Sequence, residues 1–192
     1  TVLEHFPEFF AKPICLGVRE TGLNKTTKNE SDALHAPVVL AMKHDQLVLI
    51  HTPHLADKAH GTRRVLEVLA GLNVDPQRIW IDHVEEHPIG PCLDAGYWVG
   101  FTLYPITKCS PKRAVDMIEK YGWDRILVNS SADWGPSDPF TLQQCVIEFR
   151  RRGHSLQEAI EIFHNNPCRF LGQNPKFDIQ PIRIEVESAV GV

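Results

Sequence analysis

The sequence lacks several patterns that would identify common protein classes. It has no run of about 18 apolar residues, which a transmembrane helix requires. No basic-then-apolar leader opens it, so no signal peptide is predicted. It contains no G-x-G-x-x-G or P-loop glycine pattern for a nucleotide cofactor and no G-x-S-x-G elbow of a serine hydrolase. The formal charge of -4 argues against a whole-surface nucleic-acid binder.

The five cysteines form no C-x-x-C pair, which argues against a thioredoxin-type motif and against a zinc ribbon. Their odd number and wide spacing predict reduced thiols in a cytoplasmic protein. Histidine is the unusual component, with ten residues, several of them beside Asp or Glu. The histidines are therefore the first candidates for the chemistry of this protein.

Short apolar runs alternate with helical patterns along the chain. Each run is four or five residues long and rich in Ile, Val or Leu, which is typical of a parallel strand covered on both faces. The alternation predicts an α/β fold with a parallel sheet. The predicted strands are 14–18, 47–50, 78–81, 98–101 and 125–128.

Helix signals lie between the predicted strands. Ser110 and Pro111 are expected at the N-cap and first position of one helix, and Ser155 with Glu158 forms a capping box. Further helices are predicted over 62–72 and 139–152, with weaker patterns over 1–11, 37–44 and 88–95. In the segment 37–44, Pro37 is expected in the first turn. The apolar–polar alternation after 172 predicts an extended tail over 173–192.

Four predicted strands have Glu20, His51, His83 and Asp133 at or just beyond their carboxyl ends. In a parallel α/β sheet these ends line one rim, where active sites form. Two carboxylates and two imidazoles suit a divalent ion such as zinc, manganese or nickel, and a nearby carboxylate can transfer the proton of an attacking water. The alternative is that each histidine is an ordinary structural residue.

Three more residues are candidates for substrate contact. His54 is a candidate metal ligand, substrate contact or plain loop residue, whereas Lys58 and Lys108 are either contacts for an anionic substrate or exposed lysines. The segment 83–87 matches the H-x-x-E-H pattern of a zinc protease. That pattern needs a helix, and the preceding strand and following prolines argue against one here.

Six segments together resemble TatD-related metal-dependent hydrolases of the amidohydrolase superfamily. Glu20 lies in a G-E-x-G-L-like segment, His51 and His83 lie in segments like the family's strand-five and strand-six histidine segments, and Asp133 lies in one like the strand-eight aspartate segment. The segment that ends Asn166-Pro-Cys-Arg-Phe170 also resembles the family's last helix. The segments follow in family order over 17–23, 49–54, 81–83, 96–105, 127–135 and 163–170.

The resemblance implies a (β/α)8 TIM-type barrel, incomplete here, with strands four to eight and their helices in residues 1–172. It implies one or two divalent ions (Zn, Mn, Ni or Mg), with Glu20 as the bridging carboxylate and His51 and His83 on one ion. Asp133 would bind the other ion and take the proton of the attacking water. The H-x-H of the family's first strand does not occur in this sequence. We therefore expect the chain to be the C-terminal portion of a longer protein.

The activity that the resemblance implies is hydrolysis with a metal-activated water, most often of phosphodiester bonds. The expected partner is a small-molecule or phosphoester substrate; nucleic acid fits the family but not the charge, and no membrane partner is expected. Two alternatives remain: a non-catalytic barrel acting as a binding or scaffold subunit, and a metal-dependent isomerase or decarboxylase on the same barrel.

Overall fold

The computed structural model describes residues 2–53, 57–104, 106–132 and 135–184. Five parallel strands form one sheet in the order β1-β2-β3-β4-β5, so each strand pairs with its neighbour in sequence. The predicted parallel α/β architecture is confirmed. The strands are β1 Gly17–Gly22, β2 Leu47–His51, β3 Ile79–Asp82, β4 Trp98–Leu103 and β5 Ile126–Ser130.

The first strand lies further along the chain than 14–18, and that prediction was wrong. Ile14 is 88% exposed and precedes the strand, which begins at Gly17. The strand is also half-exposed along its length, because it stands at an edge of the described sheet. The shift matters for function, since it places Glu20 within β1 rather than after it.

Helices follow the strands in the predicted alternation. Ser110 caps its helix through the backbone N–H of Arg113, and the capping box of Ser155 and Glu158 is formed as expected. A π-helical turn over Glu161–Asn165 joins the last two helices. The helices are α1 Phe6–Phe10, α2 Lys28–Lys43, α3 Lys58–Leu72, α4 Ile89–Asp94, α5 Pro111–Tyr121, α6 Thr141–Arg151, α7 Leu156–Ile160 and α8 Asn166–Leu171.

Helix α2 corrects the prediction for Pro37. It begins at Lys28, and Pro37 lies in its interior rather than in its first turn. The start is fixed by a capping box in which Thr27 and Glu30 satisfy each other's backbone N–H groups. The buried Leu34 and Val38 anchor the helix on either side of the proline, so packing outweighs the lost backbone hydrogen bond.

The main core lies between the sheet and its helices. Leu47, Trp98, Leu127 and Phe170 form a second, smaller apolar cluster. Within it, the ring centroids of Phe170 in α8 and Trp98 in β4 lie 5.5 Å apart. None of the described helices combines the length and apolar character that a membrane span requires.

The tail beyond Leu171 forms neither helix nor strand up to residue 184, and residues 185–192 lie outside the described range. It is nevertheless tied down. The side-chain amide of Asn165 pairs with both the N–H and the C=O of Ile182, at 2.8 Å each.

Candidate metal centre

A bulge in β1 brings Glu20 to the carboxyl edge of the sheet. Val18 pairs with Val48 and Thr21 with Ile50, so β1 has one residue more than β2 between these two pairs. An extra residue of this kind redirects a side chain, and bulges are frequent beside active sites. The irregularity falls at Arg19 and Glu20, and both line the same cavity.

His51 is the last residue of β2, and His83 follows the end of β3. Glu20 reaches both of them: its Oε2 lies 3.7 Å from His51 Nδ1 and its Oε1 lies 3.8 Å from His83 Nε2. The two rings meet edge to face with centroids 4.8 Å apart. One ligand atom from each of the three residues lies within 4.8 Å of the others, so this carboxylate and two imidazoles form a compact group.

The group opens into a cavity of about 780 Å³ at the carboxyl ends of the strands. Every described strand or the loop after it contributes to its wall. Besides the three residues above, the wall includes Arg19, Asp82, Tyr104, Lys108, Asn129 and Ser131.

His83 is held in a backbone conformation that its side chain disfavours. Its φ is +61°, in the left-handed region, which costs a non-glycine residue about 1–2 kcal/mol. Its carbonyl accepts from the Lys58 ammonium at 2.6 Å, and its N–H donates to the Asp82 carboxylate at 2.8 Å. Thr52 donates to the neighbouring Asp82 carbonyl at 2.8 Å. These contacts offset the strain and turn the imidazole toward the cavity.

Burial shapes the charges around the group. It lowers the pKa of His51 to about 4, with the positive charges of Lys108 and Lys58 adding to the effect, so this imidazole is neutral at pH 7. Burial likewise lowers the pKa of Lys58 to about 8 and raises the pKa of Asp82; hydrogen bonds from His83, Asn129 and Thr102 oppose the rise. A neutral imidazole is the form that binds a metal ion.

The remaining predicted site residues fall in three places. Lys108 lines the cavity, and its Nζ lies 3.1 Å from Ser131 Oγ and 3.5 Å from His83 Nε2. Lys58 is 94% buried beneath the rim, where it contacts Thr52 and the His83 carbonyl. His54 and Asp133 lie outside the described residues.

A buried polar group beside His83 was not predicted from the sequence. Asp82, Thr102 and Asn129 come from β3, β4 and β5 and meet through hydrogen bonds to Asp82 Oδ1 of 3.2 Å and 2.9 Å. A detectable signal was present, because an aspartate ending a strand that is apolar on both faces must find partners when buried. The sequence could not identify those partners, since they depend on the register of three strands.

The donor set fits a divalent ion. One carboxylate and two imidazoles are the ligand types that zinc and related ions take, and three protein ligands leave a position open for water or substrate. The described residues that would hold such an ion are Glu20, His51 and His83.

Comparison with known proteins agrees with this architecture. The chain is 25% identical over 171 residues to a protein of Methanocaldococcus jannaschii named as an uncharacterised metal-dependent hydrolase; the match covers 88% of this chain and 66% of that protein. A TatD-like protein from Archaeoglobus fulgidus superposes with a TM-score of 0.68 at 23% identity, covering 87% of this chain and 64% of the other. No family model matches the sequence.

A second solved structure has the same architecture. The phosphotriesterase homology protein from Escherichia coli, with phosphate in its active site, gives a TM-score of 0.61 at 18% identity over 79% of this chain and 57% of the other. The chain shares a TIM-barrel fold with these proteins. It spans about two thirds or less of their lengths, and its five strands correspond to part of a closed barrel.

Proposed function

We propose that this chain carries the metal centre of a TatD-type hydrolase that cleaves a phosphodiester or related ester bond. The observation that carries the proposal is the compact group of Glu20, His51 and His83 facing a large cavity at the carboxyl rim. The naming of the M. jannaschii relative as a metal-dependent hydrolase supports it.

In this proposal the candidate site residues have distinct tasks. Glu20, His51 and His83 hold a divalent ion, which supplies the Lewis acidity that water activation and ester hydrolysis need. Lys108 and Arg19 bind the negative charge of the substrate from the same cavity wall. Asp133, the candidate from the strand-eight segment, accepts the proton of the attacking water, and His54 contacts the substrate.

We further propose that the working barrel contains three β/α units in addition to the five described. The relatives are longer than this chain, and β1 and β5 are the edges of the described sheet. The added strands would close the barrel and bring the H-x-H ligands to the metal centre. A barrel of about 250 residues requires an H-x-H within roughly the 100 residues encoded upstream of Thr1. The absence of an H-x-H there would refute the proposal that added strands close the barrel.

Metal uptake tests the proposed centre directly. The full-length protein is stripped with chelator and titrated calorimetrically with Mn²⁺ or Zn²⁺, and we expect one to two equivalents to bind. His83→Asn should abolish or greatly weaken uptake. His87→Asn, an exposed histidine four residues further along, is the matched control and should bind like the wild type. A wild-type protein that takes up no ion would refute the proposal and favour the scaffold alternative.

Hydrolysis tests the reaction class. The metal-loaded protein is screened against phosphodiesters, phosphomonoesters and lactones, and we expect turnover of at least one ester class. Asp133→Asn should abolish that turnover while leaving the unfolding midpoint unchanged, because the carboxylate is proposed to move a proton rather than to pack. Retained turnover in this variant would refute the role of Asp133.

A further inference from the structure

His83 contacts a side chain that the hydrolase proposal does not use. Its Nδ1 lies 2.7 Å from Thr102 Oγ1 of β4, the shortest of the ring's side-chain contacts described here. The same hydroxyl lies 3.2 Å from Asp82 Oδ1 of β3. Thr102 is 1% exposed, so neither contact competes with bulk water.

The Asp82 carboxylate is held as an acceptor. Its Oδ1 also receives the backbone N–H of His83 at 2.8 Å and the side-chain amide of Asn129 at 2.9 Å. The carboxylate occupies space that opens only because residue 100 is glycine: a Cβ there would lie 2.2 Å from Oδ1. Three donors therefore converge on one oxygen.

The proton count at Thr102 follows from this arrangement. A hydroxyl has one proton to donate and two lone pairs. If that proton goes to the Asp82 carboxylate, the oxygen is an acceptor toward His83, and Nδ1 must carry the imidazole proton. Asp82 Oδ2, 3.5 Å from Nδ1, favours the same assignment. The lone pair of the neutral ring is then on Nε2.

The other side of the ring has mixed neighbours. The Lys108 ammonium lies 3.5 Å from Nε2 and, as a pure donor, favours a lone pair there. Glu20 Oε1, at 3.8 Å, would instead favour a proton on Nε2. The shorter contacts on the Nδ1 side outweigh this longer one, because hydrogen-bond strength falls steeply with distance.

We propose that Thr102 is a positioning residue that fixes His83 in the Nδ1–H tautomer, with Asp82 as the acceptor behind it. Nε2 then faces the cavity as a ligand before any ion arrives. The role of Nε2 as a ligand rests on the proposed metal centre, whereas the assignment of the tautomer does not. Partners of this kind typically contribute about 10–100-fold to metal affinity.

The tautomer is read from two-bond ¹⁵N–¹H correlations of the imidazole in metal-free protein at neutral pH, with the His83 signals identified by their loss in His83→Gln. We expect the Nδ1–H pattern in the wild type and in Thr102→Ser, which keeps the hydroxyl. Thr102→Val, which keeps the shape, should shift the population toward Nε2–H. An Nε2–H ring in the wild type, or an unchanged pattern in Thr102→Val, would overturn the proposal.

Metal titration of the same variants gives the second readout. Thr102→Val should weaken binding by about 10–100-fold, whereas Thr102→Ser and the control Thr107→Val, elsewhere on the cavity wall, should remain near the wild type. Equal affinities for Thr102→Val and Thr107→Val would contradict the positioning role. If the wild type shows the Nδ1–H tautomer but binds no ion, the proposed hydrolase fails while the tautomer assignment stands.

Discussion

Replacing Gly100 by alanine should damage both the fold and the candidate metal centre. Gly100 lies in the middle of β4, fully buried. An added Cβ would lie 2.0 Å from Trp80 Nε1 and 2.2 Å from Asp82 Oδ1. Neither atom is the free end of a flexible surface side chain, because Trp80 packs against Phe170 and Asp82 is held by three hydrogen bonds.

The expected cost has two parts. Forcing one methyl group into a packed core typically costs about 1–3 kcal/mol. Moving the Asp82 carboxylate weakens hydrogen bonds to a charged group, each of which contributes about 1.5–3 kcal/mol. We therefore expect the free energy of unfolding to fall by about 3–5 kcal/mol. Total stability is typically about 5–15 kcal/mol, so the loss is a large fraction of it.

Urea denaturation measures this loss. With a slope of about 2 kcal/mol per molar urea, a loss of about 3 kcal/mol lowers the midpoint by roughly 1.5 M. Gly71→Ala is the matched control, because an added Cβ at this position in α3 meets nothing within 4 Å. It should leave stability unchanged or raise it by up to about 1 kcal/mol through helix propensity. Equal midpoints for the two variants would refute the packing argument.

Three further predictions concern charge and exposure. The pKa of His51 in the folded protein is about 4, below its ordinary 6.5, so the unfolded chain binds this proton at a higher pH than the folded protein does. The metal-free protein should therefore lose about 3 kcal/mol of stability as pH falls from 6.5 to 4. Urea titrations at several pH values measure this loss, and His51→Asn should lack it. Burial raises the pKa of Cys92, Cys109 and Cys145 to about 12. A thiol reagent should therefore modify the half-buried Cys15 first in the native protein, and these three cysteines only after urea is added. Rapid modification of the three in the native protein would contradict their buried placement. Arg113 binds Glu86 through two nitrogens and also contacts Glu85 and the Lys108 carbonyl. Arg113→Ala should therefore lower the free energy of unfolding by about 1 kcal/mol, whereas Arg64→Ala, which breaks a single exposed pair, should lower it by less than about 0.5 kcal/mol. Equal losses for the two variants would show that the network adds no stability.

The strands that the sequence predicted well are those with no exposed residue. Apolar runs at β2 to β5 reflect helices on one side and barrel interior on the other, so composition alone located the ends of these strands to within two residues. The first strand was misplaced because, at an edge, its middle residues Arg19 and Glu20 are exposed and carry no apolar signal. The apolar residues before it are a loop, with Ile14 in solvent.

The start of α2 was missed for a different reason. Its first half is polar, and Pro37 suggested a boundary, although the capping pattern of Thr27 and Glu30 was readable. The grouping of Glu20, His51 and His83 was predictable because strand ends of a parallel sheet meet at one rim. The contacts of Thr102 and Lys58 were not, because each depends on which carbonyl or ring nitrogen lies across from it.

The backbone strain and buried ionisable groups around His83 argue that this residue does more than pack in the core. Its left-handed backbone is strained, Lys58 is buried with a lowered pKa, and Asp82 is buried with a raised one. A core built for stability alone avoids all three, since apolar residues of similar volume are often equally stable or more so. Such local violations concentrate at functional sites, where the surrounding structure compensates for them. All three here concern one residue, His83, whose imidazole lies beside a carboxylate and a second imidazole, as expected if that ring must be presented in one orientation to a ligand.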